Sequence, residues 1–151
     1  MIIAGFVGKY EPFSNFYRSP FVLQDCVCQT VEHGFHAFKT HDPVIRKQIL
    51  QAPNPAKAKQ LGRAVPLRPD WEEVKEGVML DLLRVKFSER FYQMLLVRTG
   101  KAYLEETNTW KDRYWGVDGY GLNRLGHLLM QVRSEIQCEI EKTRIERGAQ
   151  G

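Results

Sequence analysis

TVEHGFHAFKT, the stretch from Thr30 to Thr40, places a carboxylate, two imidazoles and an amine close together along the chain. Glu32, His36 and Lys39 stand at offsets of zero, four and seven, and side chains at these offsets share one face of an α-helix. That face is either a solvent-exposed helix surface or the wall of an active site.

The other residues of this stretch bear on the choice. Phe35, Phe38 and His33 leave no clean polar face opposite a clean apolar one, so we expect the helix to be covered on several sides. Covering would bury the carboxylate and the amine, which is costly unless they are paired or functional. On these residues alone, a functional and a purely structural interpretation are about equally supported.

The composition is that of a globular protein with a hydrophobic core. The chain has 151 residues, 43% hydrophobic and 26% charged, which fits one domain of common size. A formal charge of +4 weakly favours polyanionic partners such as nucleic acids or nucleotide phosphates. No apolar run approaches the roughly 20 residues of a membrane span, so no membrane association is expected.

The amino terminus and the cysteines bear on the cellular compartment. MIIAGFVGKYEPF lacks a basic region, a long apolar region and a cleavage site, so we expect no secretory signal. Three cysteines, an odd number, indicate reduced thiols rather than a disulfide framework. We therefore predict a cytoplasmic protein.

Hydrophobic spacing and turn residues predict an α+β fold, predominantly helical, with a small sheet near the N-terminus. We expect a single domain over residues 1–147 and a flexible tail over residues 148–151. Short strands are predicted in IIAGFV and PFVLQ, a strand or an extended piece in KAYLEETN, and an ordered loop in YEPFSNFYRSP. Helices are predicted at Pro43–Leu50, in PNPAKAKQLG up to Gly62, at Trp71–Lys86, in SERFYQMLLVRTG up to Gly100, and over residues 122–145.

The helix after Pro69 has the clearest pattern. Asp70 suits the N-cap, and Glu73 three residues later completes a box-like arrangement. Apolar residues then recur at spacings of three and four, namely Trp71, Val74, Val78, Leu82 and Val85. This periodicity predicts a core helix.

Four residues could bind a metal ion by type: Cys26, Cys28, His33 and His36. Two alternate residues share one face of a strand and the two histidines are neighbours on a helix, so a structural zinc site is geometrically possible. The usual spacings, however, put two to four residues between the cysteines and a longer gap before the histidines. We therefore expect no metal.

The glycine-rich segment RYWGVDGYGLN is predicted to be a loop that leads into the last helix. Its glycine spacing fits neither a dinucleotide-binding fingerprint nor a P-loop. Free N–H groups at the helix start could contact a phosphate or a ribose oxygen, and a plain turn is as well supported. Trp115 and Asp118 are consistent with a flat, polar ligand, with packing of the indole equally supported.

Eight segments of the chain occur in an order that is typical of one family. They are FSNFY with a following PF, TVEH with its later lysine, NPAKAKQLGR, LRPDWEEVKEGVM, KF, LLVRTG, YWGVDGYGLNRLG and LLMQVR. Together they resemble the YbiA-like family, also called the NADAR superfamily, from about residue 13 to residue 133. Each piece alone is weak, but the combination is highly specific.

The resemblance implies a helix-rich fold and hydrolysis of N-glycosidic bonds without a metal or cofactor. Activities in the family include cleavage of phosphoribosylamine-type intermediates of riboflavin synthesis and removal of ADP-ribose from modified guanine in nucleic acids. The implied partner is therefore a small ribosyl or ADP-ribosyl substrate, or ADP-ribosylated DNA or RNA. The positive charge slightly favours ADP-ribosylated DNA or RNA over a small molecule as the substrate. The sequence does not indicate an oligomeric state.

The resemblance also implies roles for individual residues. Glu32 matches the catalytic glutamate of the family's S/T-x-E-H motif, and Lys39 matches a lysine that resembles a nucleophile able to form a Schiff base with an opened ribose. Asp118 matches a further site position and is expected to bond the ribose hydroxyls. The implied substrate contacts are an N-terminal pocket motif, a residue where the family usually has glutamine, aromatic rings for the base and an asparagine. By residue type, Arg63 and Arg68 are candidates for a phosphate contact, although exposed arginines are usually only part of the surface. These predicted substrate-binding residues are Asn15, Phe16, His36, Arg63, Trp71, Trp115 and Asn123.

The chemistry of bond cleavage agrees with these assignments. Breaking a ribose C1′–N bond builds oxocarbenium character on the sugar, which a nearby carboxylate stabilises. We expect Glu32 to do this and to move protons, while Lys39 attacks C1′ or holds the opened sugar as an imine. Lys39 must then be partly neutral, which burial beside Phe35 and Phe38 would promote.

Two other functions remain as alternatives. A catalytically silent module for ADP-ribose or nucleotides would use the same pocket and would give affinity without base release. A basic RNA- or DNA-binding protein would bind unmodified oligonucleotides with an affinity that falls steeply with salt. No segment resembles a known nucleic-acid-binding motif, so this alternative ranks last.

Overall fold

The structure, a computed structural model, describes residues 1–150 and confirms the predicted α+β fold. Within these residues, no helix is long and apolar enough to cross a membrane. The chain divides into two compact units, which we call the helical unit (residues 7–86) and the two-segment unit (residues 1–6 and 87 onward). The elements in chain order are β1 (Ile2–Ala4), a 3-10 helix (Gly8–Phe13), β2 (Phe21–Leu23), β3 (Cys26–Cys28), α1 (Val31–Ala37), α2 (Pro43–Leu50), α3 (Pro55–Arg63), α4 (Trp71–Lys86), α5 (Arg90–Val97), β4 (Tyr103–Glu105) and α6 (Arg124–Gln150).

Helix α1 is covered on several sides within the helical unit, as expected from the sequence. Thr30 caps its start by accepting a hydrogen bond from the amide of His33 at 3.1 Å. Helices α2, α3 and α4 and strand β3 all contact α1. As a result, six of its seven residues are buried.

In the two-segment unit, β1 pairs in parallel with β4, so residues 2–4 bond to residues 103–105. Helix α6 packs against β4 and α5. Arg133 of α6 is 7% exposed and donates to Thr99 Oγ1 at 2.9 Å and to the carbonyl of Ala102 at 2.8 Å. These bonds fix the turn between α5 and β4, where Gly100 takes the positive φ of 62° that glycine adopts most easily.

The predicted bounds of α2 and α4 agree with the structure, while other predicted elements differ in detail: α5 spans only Arg90–Val97 and ends before Gly100, and β1 spans only Ile2–Ala4. The YEPFSNFYRSP segment is not a loop throughout, because the 3-10 helix runs through its first residues. Helix α6 begins two residues later than predicted and continues to Gln150, beyond the last apolar positions. Helix α3 does not end at Gly62 and continues to Arg63. Flexibility of residues 148–151 stays a prediction, and Gly151 lies outside the described residues.

Gly62 serves the packing of α3 on α1 rather than the termination of α3. A Cβ atom built on Gly62 would collide with the imidazole of His36. Only a residue without a side chain therefore lets His36 lie against the backbone of α3. The sequence alone suggested a helix end, because a glycine near the last turn is the commonest sign of one.

Replacing Gly62 by alanine is expected to lower the free energy of unfolding by about 1–3 kcal/mol, because the new methyl group displaces the His36 ring. Gly77→Ala is the matched control, since Gly77 lies in α4 with nothing within 4 Å of the built Cβ. That change is expected to raise stability by about 0.5–1 kcal/mol through helix propensity. Urea unfolding measures both changes, and equal effects of the two would contradict the close packing at Gly62.

Lys86, the last residue of α4, is a lysine in the interior of the helical unit. Its side chain is 1% exposed, and its Nζ donates to the backbone carbonyl of Ser14 at 3.1 Å. The ring of Tyr17 lies 6.0 Å from the same nitrogen. Burial lowers the pKa of Lys86 to about 7, because the charged form loses its hydration.

The buried amine makes stability depend on pH in a defined direction. In the unfolded chain Lys86 keeps its proton up to its ordinary pKa near 10.4, so between pH 7 and pH 10 the unfolded state binds more protons and stability rises with pH. Relative to Lys86→Met, the wild type is expected to gain about 1.4 kcal/mol per pH unit over this window.

Unfolding by denaturant at pH 7, 8 and 9 would measure this gain. Arg84→Met, which removes an exposed cation from the same helix, should show no such trend, because a guanidinium does not titrate there. A difference between wild type and Lys86→Met that stays constant with pH would contradict a lysine of lowered pKa at this position.

Candidate active site

The carboxylate of Glu32 and the imidazole of His36 form a hydrogen-bonded pair on α1. Nε2 of His36 lies 2.8 Å from Oε1 of Glu32, and the two side chains are 6% and 12% exposed, respectively. Because a carboxylate oxygen accepts, Nε2 carries the proton and donates it. The four-residue spacing predicted this shared face, and the structure brings the two residues together on it.

His36 acts as a neutral donor. Burial lowers its pKa, against the opposing effect of the hydrogen bond and charge of Glu32, and Lys39 and Lys59 lower it further. Its Nδ1 is buried against Gly62 and has no hydrogen-bond partner among residues 1–150. A second proton, on Nδ1, would be a buried donor without an acceptor, which is unfavourable. The ring therefore orients the carboxylate of Glu32 through a single bond.

Lys39 lies just beyond α1, not within it, because the helix ends at Ala37. Its amide donates to the carbonyl of His36 at 3.3 Å, and its own carbonyl accepts from the amide of Arg68 at 2.8 Å. The half-buried side chain places Nζ 5.7 Å from the centre of the Phe35 ring. The expectation that all three polar residues sit on one helix is thus wrong for Lys39, which reaches the region from the following turn.

The environment of Lys39 favours its neutral form. Burial lowers the pKa of Lys39, Glu32 opposes this effect, and the cations Arg63 and Lys59 add to it. The amine therefore loses its proton at a lower pH than that of an exposed lysine, as a nucleophilic amine requires.

Two cations of α3 border the same region. Arg63 is exposed and was predicted to contact phosphate, while Lys59 lies one helical turn earlier on the same face. Both act on the pKa of Lys39. Sequence reasoning missed Lys59, although the four-residue spacing of the two cations in PAKAKQLGR would have identified it.

Asn15 is bonded to the start of α1 through its backbone. The amide of Glu32 donates to the carbonyl of Asn15 at 3.1 Å. The Asn15 side chain is 9% exposed, its Nδ2 contacts Sδ of Met79 at 3.7 Å, and its Oδ1 has no partner among the described residues. A buried acceptor left unpaired costs about 1–3 kcal/mol, so a ligand that donates a hydrogen bond would be favoured there. The neighbouring Phe16 is 43% exposed.

Trp71 is buried and packs against Phe35. Its side chain is 4% exposed, and its ring centre is 5.1 Å from that of Phe35. Phe35 is the residue whose ring faces the amine of Lys39. Stacking of Trp71 on a base would require its ring to become exposed. In the observed position, the ring packs against that of Phe35.

Trp115 and Asp118 belong to the two-segment unit. Oδ2 of Asp118 accepts from the amide of Lys111 at 2.9 Å, and its carbonyl accepts from Nε of Arg113 at 3.2 Å. The ring of Trp115 packs edge-on against Tyr114 at 4.9 Å. Both residues thus shape the glycine-rich loop, and their contacts with substrate stay predictions.

Asn123, in the same unit, is fully engaged with backbone groups. It is 1% exposed, its Nδ2 donates to the carbonyl of Leu104 at 2.8 Å, and its Oδ1 accepts from the amide of Glu106 at 3.0 Å. These bonds join the start of α6 to β4. These bonds give Asn123 a structural role, and its contact with substrate stays a prediction.

The four residues considered for a metal make other contacts. Nε2 of His33 lies 3.0 Å from the carbonyl of Ala52, and Nδ1 lies 2.8 Å from Oγ1 of Thr30. Burial raises the pKa of Cys28 to about 12, so its thiol keeps its proton. Among residues 1–150, no three or more His, Cys, Asp or Glu side chains are grouped as a metal site would require.

The helical unit therefore combines an oriented carboxylate, an amine of lowered pKa and two cations. An arrangement of this kind can stabilise positive charge on a sugar carbon, attack that carbon and attract a phosphate. Gln29, just before the N-cap of α1, adds a buried Oε1 without a partner among the described residues. Sequence reasoning missed Gln29, and nothing in its surroundings along the chain distinguishes it.

Comparison with known proteins identifies relatives over most of the chain. The N-glycosidase YbiA of Escherichia coli (strain K12) is 41% identical over 135 residues, which are 86% of this chain and 84% of that protein. A riboflavin biosynthesis protein of Vibrio vulnificus (strain YJ016) is 33% identical over 139 residues, covering 85% of this chain and 38% of that protein. The NMR structure of E. coli YbiA superposes with a TM-score of 0.81 at 40% identity, covering 94% of this chain and 87% of that chain.

The family match is equally extensive. Residues 6–137 match the NADAR domain, a range that includes every candidate site residue. The resemblance read from the eight sequence segments is therefore confirmed. This chain belongs to the NADAR domain family.

Proposed function

We propose that this protein hydrolyses the bond between C1′ of a ribose and a base or amine nitrogen, with Glu32 and Lys39 as its catalytic residues. Named relatives are N-glycosidases, and by that relationship the chain is an enzyme that hydrolyses glycosidic bonds. The observation that carries the residue assignment is the buried Glu32–His36 pair beside an amine of lowered pKa.

Bond cleavage would begin at the sugar carbon. The electron pair of the C1′–N bond leaves with the nitrogen, which takes up a proton, and positive charge develops on C1′ and the ring oxygen. The carboxylate of Glu32, held by His36 at 2.8 Å, lies in a mostly buried setting where its attraction for that charge is strong. No reorientation of the carboxylate is then needed during the reaction.

The amine of Lys39 would complete the reaction. Its neutral form adds to C1′, the ring opens, and the adduct loses a proton to become an imine. Water then adds to the imine carbon, releasing the free amine and the sugar aldehyde, so the net reaction consumes one water and yields base and ribose. The lowered pKa of Lys39 makes the first of these steps accessible at a lower pH than for an exposed lysine.

The second part of the proposal concerns the class of substrate. The cations Lys59 and Arg63 near Lys39 favour a phosphate-bearing ribosyl group, which an ADP-ribose adduct and a phosphoribosylamine share. The overall charge of +4 leans toward an ADP-ribosylated nucleic acid, while the riboflavin-synthesis relative favours the metabolite. A cytoplasmic location is part of this proposal.

Incubation with an oligonucleotide that bears ADP-ribosylated guanine, followed by mass spectrometry, tests the first substrate, and a riboflavin-pathway phosphoribosylamine tests the second. Release of base from either establishes the hydrolase. Binding of ADP-ribose without base release from either substrate would establish the non-catalytic binding module in its place.

Glu32→Gln is expected to lower turnover about a hundredfold or more while the free energy of unfolding changes little, because glutamine keeps an acceptor for His36 but loses the charge. Lys39→Ala should lose turnover similarly and should also lose the adduct that borohydride traps on residue 39. The matched controls Glu73→Gln and Lys57→Ala, both exposed, should leave turnover unchanged. Full turnover by Glu32→Gln would refute the assignment of the carboxylate.

The pH dependence of kcat is expected to report the amine. Since neutral Lys39 reacts, kcat should rise with pH through the pKa of Lys39, which is lower than that of an exposed lysine. Removing a nearby cation in Arg63→Ala should raise that pKa and move the rise of kcat to higher pH. A pH profile of kcat that does not move in Arg63→Ala would argue against Lys39 as the titrating group.

A further inference from the structure

Lys86 is a buried ionisable residue that the proposed chemistry does not use. It is the last residue of α4 and 1% exposed, in a position where an apolar side chain would be the ordinary choice. Burying an amine is costly unless its contacts serve the structure or the site. The contacts of Lys86 therefore indicate what the residue is for.

Those contacts lead to the segment that carries Asn15. Nζ of Lys86 donates to the carbonyl of Ser14 at 3.1 Å. In the next peptide unit, the carbonyl of Asn15 accepts from the amide of Glu32 at 3.1 Å. Two successive carbonyls are thus held from two directions, one by the end of α4 and one by the first turn of α1.

The segment held by these two bonds includes Asn15, whose side-chain oxygen is available to a ligand. The Asn15 amide is 9% exposed, and its Oδ1 has no hydrogen-bond partner among residues 1–150. The segment follows the 3-10 helix, and local bonds hold it as well: the amide of Ser14 donates to the carbonyl of Glu11 at 2.9 Å, and the carbonyl of Ser14 also accepts from the amide of Tyr17 at 3.2 Å. The bonds from Lys86 and from the amide of Glu32 differ from these in tying the segment to α4 and to α1.

We propose that Lys86 is a positioning residue that fixes the Ser14–Asn15 backbone. In that fixed position, Oδ1 of Asn15 accepts a hydrogen bond from the substrate next to Glu32. This inference rests on the proposed function, because it assigns the orphaned oxygen of Asn15 to the same substrate. Lys86 acts through its bond to the carbonyl of Ser14. Because burial lowers the pKa of Lys86 to about 7, the amine can lose its charge inside the protein. Its neutral form still donates a hydrogen bond to the carbonyl of Ser14.

Hydrogen exchange tests the positioning directly and without a substrate. In Lys86→Met, the amide of Glu32 is expected to exchange about tenfold faster or more, because its acceptor on Asn15 is no longer held. The amide of Phe38, which donates to Gly34 at the other end of α1, should keep its wild-type rate. The control Arg84→Met, an exposed cation on the same helix, should change neither amide.

Steady-state kinetics test the link to the substrate through a double-mutant cycle. Lys86→Met and Asn15→Ala are each expected to raise KM about tenfold with a smaller effect on kcat, as loss of one buried hydrogen bond predicts. If Lys86 acts through Asn15, the double variant should show the KM of Asn15→Ala alone. Independent structural effects would instead multiply, giving a KM about a hundredfold above wild type.

Each outcome decides a separate point. Unchanged exchange at Glu32, or equal acceleration at Glu32 and Phe38, overturns the positioning role of Lys86. Multiplying effects on KM also overturn it. A wild type that turns over neither ribosyl substrate refutes the proposed function, and the exchange measurement still decides whether Lys86 holds the Asn15 segment.

Discussion

A helix of seven residues has too few hydrogen bonds to persist alone in water, and α1 is such a helix. Its geometry exists because α2, α3, α4 and β3 cover it, with the ring of His36 seated on the backbone at Gly62. This packing fixes the position of the Glu32 carboxylate. Groups arranged in advance need no rearrangement during reaction, which is the main way in which buried polar sites accelerate chemistry.

The same region concentrates interactions that work against stability. His36 has a buried nitrogen without a partner among the described residues, Asn15 has a buried oxygen in the same state, and Lys39 and Lys86 are amines held partly or wholly out of water. A protein selected for stability alone would place apolar residues at such positions. All four groups lie in the helical unit, and their cost in stability is what the proposed roles in binding and catalysis would account for.

The sequence predicted the regular parts of this molecule well, for reasons that lie within each segment. Helix α4 has a strong apolar period and α2 has an Asp-Pro start, so their bounds follow from local chemistry. The Glu32–His36 pair followed from a spacing of four. Gly62 was misread because its reason lies on another helix, and Lys86 was missed because burial arises only when distant segments meet.

The pairing of β1 with β4 has a consequence for the order in which the chain can fold. Residues 2–4 find their hydrogen-bond partners only at residues 103–105, about a hundred positions later. During synthesis the first strand thus stays unpaired while the segments of the helical unit are made, and the loop that must close is one of the longest that the chain allows. Completion of the two-stranded parallel sheet is accordingly a late event, and the backbone edge of residues 2–4 is open to other chains until then.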